Sequence, residues 1–219
     1  DSQGNTLVLR PDMTTPIARV ATSKLLKEKI PQRLAYFENV FRAQQQEGGR
    51  PAEFEQMGIE LIGDNSVYAD AEVIMTAIEL VQAYGIKSFK VTIGHAGVLS
   101  CILKDYTESA EQTEKLNELL VQRNYVGFEE AVLAFDLPKT KSDALLAFIE
   151  EALSLKSIED IEKYMRKNDA LNYMQKLWQL LAVAGFEQYI AIDFTLSSHM
   201  NYYTGMLFEV FAAGSGFPL

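Results

Sequence analysis

Phe54-Glu55-Gln56-Met57-Gly58-Ile59-Glu60-Leu61-Ile62 alternates between two faces, with Met57, Ile59 and Leu61 on one and Gln56, Gly58 and Glu60 on the other. A period of two is the signature of a β-strand. Upstream, residues 35–42 alternate in the same way, with Ala35, Phe37, Asn39 and Phe41 on one face and Tyr36, Glu38, Val40 and Arg42 on the other. Between the two strands, Gln44 to Ala52 is polar and contains Gly48-Gly49, the composition of a hairpin loop. At roughly 3.3 Å per residue, Gln56 and Glu60 stand about 13 Å apart, the span of a small amphiphilic molecule, and Gly58 leaves room between them. That face reads either as the floor of a binding site or as the exposed polar face of an edge sheet.

Working outward, Leu7-Val8-Leu9-Arg10 is a short apolar strand stopped by Pro11. Thr15-Pro16 reads as an N-cap followed by proline at the first helical position, opening a helix to about Lys29. From Asp70 to Tyr84, Val73, Ala77, Val81 and Tyr84 recur at helical spacing, Gly85 ends the helix, and Phe89, Val91 and Ile93 form the inward face of a further strand. The period then changes. Leu116, Leu119 and Leu120, then Leu145, Phe148, Ile149 and Leu153, then Leu171, Met174, Leu177, Trp178 and Leu181 are the apolar stripes of amphipathic helices. Strand alternation returns at Ile190, Ile192 and Phe194 and again from Tyr203 to Phe211, around a polar turn at Ser197 to Asn201. The expected fold is α+β, a mainly antiparallel sheet with helices on one side, organised as a core over 1–97, a helical insertion over 98–186 and the rest of the core over 187–219.

Composition excludes several classes. A net charge of −10 repels phosphate backbones, which disfavours nucleic acid as a partner. The single cysteine, Cys101, rules out an internal disulfide framework, and His95 and His199 alone do not make a zinc cluster, so neither metal nor cofactor is expected. The polar start and the lack of any apolar run near the roughly 20 residues of a membrane span point to a cytoplasmic protein. The chain begins without methionine and stops just after an apolar alternation at Gly216-Phe217-Pro218-Leu219, so it is expected to be a fragment of a longer protein.

Among polar residues, Asp12 and Thr14 sit between a strand and a helix, where they would cap the helix or face a ligand. Arg42 and Arg50 flank the hairpin loop and could grip a phosphate or carboxylate, while Arg42 could equally pair with Glu38 on its own face. The adjacent Tyr202 and Tyr203 put one ring on each side of a strand, one toward the core and the other available to a site. His95, flanked by Gly94 and Gly97 at a strand end, suits either a functional loop or a structural hydrogen bond, and nothing beside His199 resembles a nucleophile triad.

Together these segments resemble the histidyl-tRNA synthetases, of the class II synthetase fold. Leu9-Arg10-Pro11-Asp12-Met13-Thr14 is similar to that family's Leu-Arg-Pro-Glu-Gly-Thr segment. Val40-Phe41-Arg42 through Gly49-Arg50 to Glu53-Phe54-Glu55-Gln56 is similar to its second class-defining motif, and Tyr202-Tyr203-Thr204-Gly205 to its histidine-binding segment. Each motif alone is weak; their order over nearly the whole chain is specific. The resemblance implies a dimeric class II core with a helical insertion, lacking motifs one and three here. It also implies a histidine pocket formed by Asp12, Thr14, Gln56, Glu60 and Tyr202 or Tyr203, with Arg42 at the substrate carboxylate and α-phosphate.

Departures from the family bear on activity. Its Arg-Gly-Leu-Asp-Tyr-Tyr reads here Ser198-His199-Met200-Asn201-Tyr202-Tyr203, so Ser198 replaces the arginine that stabilises charge during adenylate formation. Such a stabiliser is worth several kcal/mol, roughly a hundred-fold or more in rate. The family's Arg-Tyr-Glu-Arg-Pro reads Arg42-Ala43-Gln44-Gln45-Gln46, Ala52 replaces a further arginine, and Asp12 is one methylene shorter than the family's Glu. A retained pocket with lost arginines resembles the synthetase paralogues that are non-catalytic regulatory subunits of ATP phosphoribosyltransferase. Those join a short-form catalytic subunit in the first step of histidine biosynthesis, under feedback control by histidine. The partners this implies are that catalytic subunit, a second copy within a hetero-oligomer, and histidine, with tRNA not expected; a divergent histidyl-tRNA synthetase is the alternative.

Overall fold

The computed structural model describes residues 4, 6–25, 27–28, 30–42, 51–155, 157–197 and 203–214, and the chain divides after Ala69 into two units. The first unit holds helix α1 (Thr14–Lys24) and an antiparallel hairpin of β1 (Gln32–Phe41) and β2 (Glu53–Ile62). The register sets Tyr36 opposite Gly58, Glu38 opposite Gln56 and Phe37 opposite Met57. Exposure follows the expected alternation, yet the polar face of β2 is the sheltered one. Phe54, Gln56, Gly58 and Glu60 are partly buried, whereas Met57 and Ile59 are 47% and 39% exposed and Phe37 is 62% exposed. Helix α1 is the cause: Met13 and Ile17 form a buried cluster with Val40, and Leu34, Tyr36, Phe54 and Ile62 pack against it. The reading of an exposed polar face is thereby overturned. The face is amphipathic, apolar at its ends and polar in its middle.

Two expectations at the start of this unit are corrected. Leu7 to Arg10 forms no strand, and Leu7, Val8 and Leu9 are exposed; the segment touches the hairpin through the Phe41 N–H, which donates to the Arg10 carbonyl at 2.9 Å. Helix α1 begins one residue earlier than Thr15, with Met13 at the N-cap, and Asp12 supplies the cap by accepting from the Thr15 N–H at 3.3 Å. It ends at Lys24 rather than near Lys29, with Leu25 at the C-cap, where its N–H donates to the Ala21 carbonyl at 3.2 Å.

Helix α2 (Val67–Ala83) leads into β3 (Phe89–His95). Among the described residues six α-helices follow: α3 (Ala96–Tyr106), α4 (Ala110–Val121), α5 (Tyr125–Ala134), α6 (Lys139–Glu151), α7 (Ile158–Ile161) and α8 (Asp169–Val183). The second unit closes with β4 (Ile190–Ile192) and β5 (Met206–Ala212) in a sheet of order β4-β3-β5. β3 pairs antiparallel with β5 and parallel with β4. A parallel pair needs a long crossover, and the α3–α8 run supplies it. The fold is α+β, with an antiparallel hairpin and a mixed sheet.

The helical stripes are largely buried where the period places them: Leu116, Leu119 and Leu120 in α4, Leu145, Phe148 and Ile149 in α6, and Leu171, Met174, Leu177 and Leu181 in α8; Trp178 is half-buried, and the Leu153 side chain lies outside the described ones. In α2 the buried stripe is Ala71, Ile74 and Ile78, and Tyr84 is exposed. This helix is apolar on overlapping stripes, so the 3.6 period alone does not select the inward one. Helix starts are satisfied locally, by Ser109, Asn124, Ser157 and Asn168 side chains and by His95, whose Nδ1 accepts from the Gly97 N–H at 3.0 Å. Gly85, at φ +81°, ends α2 as expected. Among the described residues no helix is long and apolar enough to cross a membrane, and no group of three or more His, Cys, Asp and Glu could hold a metal ion.

Candidate functional site

The sheltered middle of the hairpin face gathers four of the expected residues. Thr14, the first residue of α1, donates its hydroxyl to Glu60 Oε1 at 2.8 Å across 46 positions of sequence. Asp12, 7% exposed, lies just before the helix, and its carboxylate is near enough to act on Glu60 electrostatically. Burial raises the Glu60 pKa above the ordinary carboxylate value; the Thr14 hydrogen bond opposes this and the Asp12 charge adds to it. Gln56 stands two residues from Gly58 on the same face, and its buried Oε1 has no hydrogen-bond partner among the described residues. An unsatisfied buried acceptor costs about 1–3 kcal/mol, so this oxygen is a natural position for a ligand donor. Two carboxyl groups and an orphan amide oxygen make a site that suits a cationic, donor-rich small molecule.

The arginines are arranged differently from both readings of Arg42. Its Nε donates to the Pro11 carbonyl at 2.9 Å, and its guanidinium lies 5.4 Å from the centroid of the Phe54 ring. Glu38 pairs instead with Arg10, whose Nη2 reaches Glu38 Oε2 at 2.7 Å while its Nε donates to the Asn39 carbonyl at 2.8 Å. Arg10 therefore ties the segment before α1 to β1, a role that sequence spacing did not suggest. Tyr203 belongs to the second unit, where it is 45% exposed and lines a cavity of about 770 Å³ with Ser100, Lys104, Asn117, Ser197 and Leu207. Tyr202, Arg50 and Ser198 lie outside the described residues. Tyr36 is the residue sequence reasoning missed. Its ring reaches over Gly58, so close that a Cβ there would lie 2.4 Å from the phenol oxygen. The signal was present in the cross-strand pairing, since the aromatic residue directly opposite a strand glycine can cover it.

His95 belongs to the second unit. Its ring meets Tyr173 edge-on at 5.8 Å, and the Tyr173 hydroxyl donates to Asp70 Oδ2 at 2.6 Å. Burial lowers the His95 pKa, opposed by the Asp70 charge. With Nδ1 committed to the helix cap, this histidine is a structural group.

The family model described as Histidyl-tRNA synthetase matches residues 1–219, the whole of the chain. The chain belongs to the histidyl-tRNA synthetase family. Within that family it is 75% identical over 219 residues to an ATP phosphoribosyltransferase regulatory subunit from Lysinibacillus sphaericus, covering 100% of this chain and 57% of the relative. A solved structure from Bacillus halodurans, described as an ATP phosphoribosyltransferase regulatory subunit/histidyl-tRNA synthetase, superposes with a TM-score of 0.89 at 42% identity, over 100% of this chain and 58% of that one. A histidyl-tRNA synthetase from Nostoc, at 17% identity and a TM-score of 0.72 over 94% of this chain and 49% of its own, shares the fold. The chain thus spans 57% of the length of the curated relative from L. sphaericus.

Proposed function

We propose that this chain is part of a non-catalytic regulatory subunit of ATP phosphoribosyltransferase. The subunit joins the short-form catalytic subunit in the first step of histidine biosynthesis and conveys feedback control by histidine. The observation that carries this reading is the 75% identity, over every residue of the chain, to a relative bearing that name. Ser198 and Ala52, where the synthetases have arginine, support it, because adenylate formation depends on positive charge placed where negative charge develops.

In this reading the protein is cytoplasmic and works as a homodimer within a hetero-oligomer, and the core over 1–97 and 187–219 carries the helical insertion over 98–186. Histidine occupies the Asp12, Thr14, Gln56 and Glu60 face, with Arg42 contributing to the pocket. Regulation then requires only that histidine favour one conformation of the complex over another. The alternative, a divergent histidyl-tRNA synthetase, is favoured by the intact Thr14–Glu60 hydrogen bond. Histidine-dependent ATP–pyrophosphate exchange by the full-length protein separates the two: the regulatory reading expects none above background, and sustained exchange supports the synthetase.

A further inference from the structure

Helices α2, α4 and α8 end alike, with one exception. After α2 the Gly85 N–H donates to the Gln82 carbonyl at 2.9 Å and the Ile86 N–H to the Val81 carbonyl at 3.3 Å; after α8 the Gly185 and Phe186 N–H groups donate to Ala182 and Leu181, both at 2.9 Å. Gly85 and Gly185 stand at φ +81° and +85°, the left-handed position at which glycine is favoured. After α4 the same pair of bonds runs from Arg123 to Leu120 at 2.9 Å and from Asn124 to Leu119 at 2.8 Å. Here the left-handed position, at φ +54°, is held by Arg123, the one non-glycine residue at positive φ among the described residues. A Cβ is unfavourable there, so the side chain has to be wanted for what it reaches.

It reaches β5. Arg123 Nη2 donates to Glu209 Oε2 at 2.5 Å, and the guanidinium lies 5.4 Å from the centroid of the Phe211 ring, the next residue on the same strand face. The pair is partly exposed, so its contribution to stability is small and its effect is geometric: it holds the α4–α5 turn against β5. Helix α4 has a second tie, where the Ser197 hydroxyl donates to Asn117 Oδ1 at 2.9 Å. The two ties span 80 and 86 positions of sequence and fall on either side of the segment that leads into β5. From these contacts, and resting on the regulatory reading above, we propose that Arg123 is a positioning residue for regulation. It locks the helical run to the sheet, so that a change at the sheet caused by histidine is passed to the helices through this joint. The bland account of the same geometry is a surface ion pair with no bearing on control.

Phosphoribosyl-ATP formation by a short-form catalytic subunit with the full-length protein, measured without histidine and at saturating histidine, distinguishes the two accounts when paired with calorimetric titration of histidine. Arg123→Gly suits the left-handed helix end and removes only the side chain, so it should fold, melt close to the wild type and stimulate the catalytic subunit. It should bind histidine as the wild type does, while the ratio of the rate without histidine to the rate at saturation falls by at least about fivefold. Glu209→Gln, which leaves the turn and the arginine in place, should lower that ratio by a smaller factor. A ratio unchanged in both variants, or one that falls only with a matching loss of histidine affinity, overturns the proposal while leaving the regulatory reading intact. A wild-type protein that gives no stimulation, or stimulation that histidine does not reverse, overturns both.

Discussion

The helices of the second unit and the hairpin of the first use the same elementary rules with opposite results. In α4, α6 and α8 the apolar stripe is inside, and α4 and α8 are capped by the Ser109 and Asn168 side chains. In the hairpin, Phe37, Met57 and Ile59 face outward, and Gln56, Gly58 and Glu60 are on the sheltered side under α1. Sheltering an amide and a carboxyl while exposing a phenylalanine and a methionine does not favour folding of the hairpin by itself. Packing accounts for the arrangement of the helical region and does not by itself account for that of the hairpin.

The contrast is open to direct attack. The largest effect is expected at Phe148, fully buried in α6: Phe148→Ala should destabilise the protein by about 3–5 kcal/mol in urea or thermal unfolding. Next comes Thr14→Val, which removes the hydroxyl held by Glu60 and should weaken histidine binding by about tenfold, or about 1.4 kcal/mol, with a smaller change in stability. Under the proposed function, the hairpin substitution shows chiefly in binding and the helical one in stability.

The two regions should also titrate in opposite directions. Glu60 has a raised pKa, so between the ordinary glutamate value of about 4.3 and that raised value the folded state holds more protons than the unfolded state. Stability from this group therefore falls as pH rises through that window, and Glu60→Gln should flatten the profile there. His95 has a lowered pKa, so the unfolded state holds more protons below about 6.5, and stability falls as pH drops from that value toward the folded one. His95→Asn, which keeps a capping acceptor without a titrating ring, should remove that decline in pH-dependent unfolding. The smallest effect is expected at Glu209, which forms a partly exposed ion pair with Arg123: Glu209→Gln should cost less than about 1 kcal/mol by thermal unfolding.

Much of the packed region was legible because periodicity and burial agree there. Leu145, Phe148 and Ile149, for instance, are inside for the reason their spacing suggests. The α2 stripe was misread because Val73, Ala77 and Val81 compete with Ala71, Ile74 and Ile78 at nearly the same period. The alternation of β2 was legible too, and it brought Gln56, Gly58 and Glu60 onto one face. What it did not contain was the arrival of residues from far along the chain. Thr14 meets Glu60 across 46 positions, and Arg10 takes Glu38 across 28, displacing the local Arg42 pairing that spacing suggested. Tyr36 over Gly58 depends on cross-strand register, which a long hairpin loop leaves undetermined in the sequence.

Regulation without catalysis is tested most directly by phosphoribosyl-ATP formation by a short-form ATP phosphoribosyltransferase catalytic subunit with and without the full-length form of this protein. The account predicts stimulation that added histidine reverses, with the reversal lost in Glu60→Gln. No stimulation, or stimulation that histidine leaves untouched, would contradict it.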